Sequence, residues 1–74
     1  MLSNIQMNYN KKTDTLDIIK MSNGRKIVEE KEFKYGIVVS YDILGNPRCI
    51  RIPEFSLLSG MPKDDVVKFS SFFG

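Results

Sequence analysis

Seventy-four residues, with eleven Lys and Arg against nine Asp and Glu, make one small and mildly basic domain of formal charge +2. A single cysteine, Cys49, excludes an internal disulfide framework, and the lack of histidine removes the commonest ligand for zinc, haem and iron, so no metal or other cofactor is expected. A chain this short hides only about 60% of its unfolded surface on folding, which leaves a partner as its remaining source of added stability.

Period-two alternation dominates the first two-thirds of the chain and predicts strands with one buried face. The first covers Asn4 to Tyr9, with Ile5, Met7 and Tyr9 alternating with polar residues. Asn10-Lys11-Lys12-Thr13-Asp14 has turn composition, and a second strand, Thr15 to Met21, carries Leu16 and Ile18 on one side. Ser22-Asn23-Gly24 supplies the next turn. Lys26 to Phe33 is the most charged strand, with Glu29, Glu30, Lys31 and Glu32 at its middle, and such a segment suits a sheet edge. Lys34-Tyr35-Gly36 turns into Ile37 to Asp42. After Leu44-Gly45-Asn46, Pro47 begins a last strand whose inward pair is Ile50 and Ile52.

Collected on one face, Ile5, Met7, Tyr9, Leu16, Ile18, Ile37, Val39, Tyr41, Ile50 and Ile52 need a second layer to cover them. The C-terminal third must supply it. Ser56-Leu57-Leu58-Ser59 reads as one helical turn closed by Gly60. A second helix is expected from Pro62, with Asp64 and Asp65 at its positive dipole end and Val66, Phe69 and Phe73 on one side. The chain therefore reads as a single domain over 1–74, with strands over about 4–52 and a helical segment over about 55–73. Its expected fold is α+β and mostly β: a four- or five-stranded antiparallel meander with a short C-terminal helical lid.

The longest aliphatic run, Ile37-Val38-Val39, falls far short of the roughly 20 apolar residues that span a bilayer. Met1 to Met7 lacks the basic start and apolar stretch of a signal peptide, so a soluble, cytoplasmic protein with no membrane partner is expected.

Two stretches together resemble a known family. Tyr9-Asn10-Lys11-Lys12-Thr13-Asp14-Thr15-Leu16-Asp17-Ile18 is similar to its opening Tyr-Asp, Asp and Leu pattern. Gly36 to Gly45, ending its strand in Tyr41-Asp42, followed by Ile50-Arg51-Ile52, is similar to its second. The family is domain-of-unknown-function family 2283, small bacterial proteins with a β-meander, and the resemblance covers about residues 7–56. It implies a fold and no activity; some members resemble second genes of toxin–antitoxin-like pairs. The chain departs from the pattern at Asn10 for Asp, Lys20 for an apolar residue, Cys49 for Gly and Arg51 for Glu, the last reversing the charge of an outward strand position.

Few residues offer catalytic chemistry. Cys49 has no histidine to deprotonate it and reads as a small apolar strand residue, although Arg48 and Arg51 beside it would lower its pKa. Asp14, Asp17 and Asp42 have neither the paired-carboxylate arrangement of a glycosidase nor the density of a calcium loop; Asp14 and Asp42 are expected to accept hydrogen bonds from turn amides near their strands. The basic residues Lys11-Lys12, Arg25-Lys26 and Arg48 with Arg51 fall in separate turns or on opposite strand faces, so nucleic-acid binding is the secondary reading.

Phe69-Ser70-Ser71-Phe72-Phe73 stands out. On a helix Phe72 lies about 100° from Phe73, so either all three rings wrap over the sheet or Phe72 is left as an interface, and both readings stay open. The function expected is a non-enzymatic protein-binding or regulatory module, antitoxin-like or an inhibitor carried by a mobile element or phage. Its partner would be a toxin-like or defence-system protein, or a second copy of the chain, met through Phe69, Phe72, Phe73, Arg48 and Arg51.

Overall fold

The computed structural model of the protein describes residues 5–20 and 26–73. The alternating segments form five strands: β1 (Ile5–Asn10), β2 (Thr15–Lys20), β3 (Ile27–Glu32), β4 (Val38–Asp42) and β5 (Pro47–Ile52). Asn4, Met21 and the Ser22-Asn23-Gly24 turn lie outside the described residues. All pairings are antiparallel, in the order β1-β2-β5-β4-β3. A β1–β2 hairpin is thus joined to a β3–β4–β5 meander through the β2–β5 pair. The fold is α+β and mostly β, one five-stranded antiparallel sheet with a short C-terminal helical layer.

Composition explains why β5 and not β3 sits beside β2. A central strand is flanked on both sides, and β3 presents Glu29, Glu30, Lys31 and Glu32 across both its faces, so a central place would desolvate charge. At the edge, every residue of β3 stays exposed, and the charges discourage pairing with another chain. β5 instead brings Ile50 opposite Ile18 and Ile52 opposite Leu16. Across the sheet the register aligns Met7, Ile18, Ile50 and Val39 in one row, and Tyr9, Leu16 and Ile52 in the next. These rows belong to the apolar face expected from the alternation. A bulge beside Ser40 and Tyr41, with Arg48 the unmatched residue opposite, interrupts the β4–β5 ladder next to Pro47, which has no amide to give.

The helical layer is α1 (Phe55–Ser59) and α2 (Lys63–Ser71). α1 ends at Gly60, whose φ of 74° is left-handed and whose amide donates to the Ser56 carbonyl. Pro62 caps α2 rather than opening it, and Asp64 and Asp65 fill the first turn. α2 lies along β1: the Lys11 ammonium meets Asp64 at one end, and the Met7 amide donates to the Phe73 carbonyl at the other. The lengths match, since nine helical residues rise about 13.5 Å and four strand residues about 13 Å. The inner side of α2 carries Val66, Ser70 and Phe73 at steps of four and three; Val66 and Ser70 are buried and Phe73 half-buried. Phe69, expected inside, is 40% exposed because Ser70 takes the innermost position. Leu16 and Val66 are the fully buried large side chains among the described residues, which places the core under α2.

In the helical layer α2 packs against β1. Towards β4 and β3 the apolar face is only partly shielded, with Val39 and Tyr41 half-buried. The Lys31 ammonium lies 5.7 Å from the centre of the Tyr41 ring and covers part of it. Between β3 and β4, a 3-10 turn over Lys34–Gly36 packs against the end of β5. A side chain at Gly36 would come within 3.2 Å of Pro53, and its φ of 75° also favours glycine.

Candidate protein-binding surface

The C-terminal end of α2 gathers the three phenylalanines. Phe69 and Phe73, four residues apart, stack on one side of the helix with ring centres 5.7 Å apart and planes inclined by 58°. Phe72 projects between turns into solvent and is 83% exposed. The helix end beneath them is fixed: the Phe72 amide donates to Phe69, the Phe73 amide to Ser70, and the Phe73 carbonyl accepts from Met7 on the β1 edge. That last bond also occupies an edge-strand amide of β1. The result is an aromatic projection on a pinned backbone, half-exposed Phe69 beside fully projecting Phe72, with Val67 also 41% exposed on the same short helix.

The two arginines expected at a partner surface sit elsewhere. Arg48 is nearly buried at the β4–β5 turn, with Nη1 3.7 Å from the Asp42 carboxylate. Arg51 lies on the polar sheet face directly opposite Asp17, and its Nε donates to that carboxylate at 3.0 Å. The positive charge of Arg51 is thus matched by Asp17 across the strand pair. The phenylalanines converge, and the arginines are held at two other places in the fold.

The three aspartates have structural partners. Asp42 accepts from the Leu44 and Asn46 amides of its own turn, as expected. Asp14 acts further away than expected. Its main-chain carbonyl accepts from the Phe55 amide, and its carboxylate accepts from the Ser56 amide at 3.0 Å and the Ser56 hydroxyl at 2.6 Å, so it caps α1 from a turn 42 residues away. The Tyr9 hydroxyl donates to the same carboxylate. Burial alone would raise the pKa of Asp14, but donation from Ser56 and Tyr9, with Lys63 nearby, outweighs it and holds the carboxyl below its ordinary value. Asp14 takes up this geometry with a left-handed φ of 55°. The capping role has no local signal in the sequence, because the residue just before the helix it serves is Glu54, left-handed at φ 51° and without a capping side-chain bond of its own.

Cys49 is half-buried on the polar face, opposite Ile19 and Ser40. Its pKa is raised and not lowered: burial has the largest effect, and Asp17 and Glu30 add to it against the pull of Arg51. Arg48 falls on the other side of the strand with Asp42, so the flanking arginines do not act on the thiol together.

Among the described residues no cluster of His, Cys, Asp or Glu is arranged to hold a metal ion, and no helix is long and apolar enough to cross a membrane. Compared with protein-family models, with curated proteins and with solved structures, the chain has no match in any of the three.

Proposed function

We propose that this chain is a non-enzymatic protein-binding module that meets its partner through the C-terminal aromatic end of α2. The observation that carries the reading is Phe72, 83% exposed beside half-exposed Phe69 on a backbone tied to the sheet. A large ring held in water at a fixed position gives up little conformational freedom on docking, which is why exposed aromatics anchor interfaces. The occupied aspartates support the non-enzymatic part: Asp14 caps α1, Asp42 closes its turn and Asp17 pairs with Arg51.

The finer parts of the proposal are a place in domain-of-unknown-function family 2283, a cytoplasmic setting, and an antitoxin-like or phage-borne inhibitory role. They rest on the Tyr9 to Ile18 and Gly36 to Ile52 patterns, to which the antiparallel sheet is congenial. The test is co-purification from the native host with wild-type and Phe72→Ala chains. Wild type is expected to retain one stoichiometric protein, or a second copy of itself, that the variant loses. A strictly monomeric wild type with nothing retained would sink the proposal.

A further inference from the structure

The polar face of the sheet carries a second feature, independent of the aromatic end. The sequence scatters its basic residues, but the register brings Arg51 of β5 alongside the β1–β2 turn. There Asn8, Lys11, Lys12, Thr15, Asp17 and Arg51 line an open groove of about 680 Å³. Asn8, Asp17 and Arg51 are direct neighbours across three strands, so their side chains form one row on its floor. Three cations and one carboxylate leave the groove at +2, the formal charge of the whole chain.

Its cations are available to an incoming anion. Lys12 makes no ion pair among the described residues. Lys11 holds Asp64 through a pair whose side chains are 57% and 78% exposed, and water and salt screen a pair so exposed, which leaves the ammonium open to competition from another anion. Arg51 spends its Nε on Asp17, and the two Nη groups of its fork have no partner among the described residues. The turn is stiffened by Asn10, whose side-chain oxygen accepts from the Lys12 and Thr13 amides, so the lysines are presented on a set backbone.

We propose that this groove is a binding site for a compact phosphate-bearing ligand, such as pyrophosphate or the polyphosphate end of a nucleotide. A guanidinium fork, two ammonium groups and the Thr13 hydroxyl offer more donors than a single carboxylate has oxygens to fill, while the Thr15 hydroxyl gives its proton to the Thr13 carbonyl; phosphate oxygens match the donors that remain. A long nucleic acid is the poorer fit. The ring that lines the groove, Tyr9, belongs to the Leu16 side of the sheet and gives its hydroxyl to Asp14, so bases find no stacking surface. With a surplus of two charges, few counterions would be released along a polyanion.

The test titrates sodium pyrophosphate into the full chain, followed by amide NMR and calorimetry at about 20 mM and about 200 mM salt. Shifts confined to the β1–β2 turn and the Arg51 region are expected. Affinity should fall about tenfold in Lys12→Gln with Arg51→Gln and stay unchanged in Lys26→Gln, a basic residue of the β3 side. Lys12→Gln alone removes no structural contact, and a threefold or larger loss there, on the order of one weak charged contact, keeps the test decisive if the double variant unfolds. No shift at millimolar pyrophosphate, or equal weakening by Lys26→Gln, overturns the proposal. A ten-residue oligothymidine titrated in parallel separates the sources: binding tighter than pyrophosphate and lost in Lys12→Gln would overturn the compact ligand in favour of a nucleic-acid backbone.

Discussion

At Asp14 one side chain does the work of a tertiary clasp. A five-residue helix such as α1 is not stable by itself in water, because its first turn fixes several residues for few hydrogen bonds. Asp14 accepts from its first amides and from Ser56, while Tyr9 reaches the same carboxylate from β1, so the strand, the turn and the helix meet on one group. The tyrosine reports on this junction. Burial, then the hydrogen bond and charge of Asp14, push its pKa from 10.0 up to about 12. Below pH 10 the phenol is neutral in folded and unfolded chains alike and the bond contributes in full. As pH rises towards 12 the unfolded phenol ionises first, and the contribution is lost. Tyr9→Phe is therefore expected to cost about 1 kcal/mol at neutral pH. In urea titrations repeated across the alkaline range, the gap between the two proteins should close between pH 10 and 12; a gap that is constant with pH would remove Tyr9 from the junction. Asp14 has the opposite sign: its lowered pKa gives stability that is present above the ordinary carboxylate range and lost as pH falls through it.

At the scale of elements, alternation made the strands and their inward faces legible. Ile50 and Ile52 do face the side of Leu16 and Ile18, and charged β3 does lie at an edge. Alternation says which way a side chain points and not which strand lies beside it, so the β2–β5 pair, more than thirty residues apart, had no local mark. The same limit applies to the site. The aromatic end of α2 was visible as a composition, but the groove of Lys11, Lys12 and Arg51 exists only through that long-range pair. Ser70 shows a further limit, because a serine reads as an outward residue. Its hydroxyl donates to the Val67 carbonyl of its own helix, so it needs no other partner, and its small size lets α2 settle on β1. Ser70→Leu is expected to overpack this contact and cost about 1–3 kcal/mol, whereas Ser71→Leu, one step round on the exposed side, should change stability by less than about 0.5 kcal/mol. Equal urea midpoints for the two variants would show that α2 does not press its 70 side on the sheet.

For the molecule as a whole, the question is how a chain 18 Å across its shortest axis shares its few large rings between folding and binding. With Leu16 and Val66 as its fully buried large side chains among the described residues, it has little apolar burial in reserve. The sequence leaves open whether all three rings wrap over the sheet or Phe72 stands out as an interface. In the structure the tasks fall to different rings. Phe73 is half-buried, stacks on Phe69 and carries the carbonyl that holds the Met7 amide, while Phe72 points away. Phe73→Ala should therefore cost about 2 kcal/mol, roughly half the loss for a fully buried ring. Phe72→Ala should leave the urea midpoint within about 0.5 kcal/mol of wild type. Binding should respond in the other order, with Phe72→Ala abolishing partner retention in a fully folded chain. If Phe72→Ala instead destabilises the free protein as much as Phe73→Ala does, the aromatic end belongs to the fold, and the partner surface must be sought on another face.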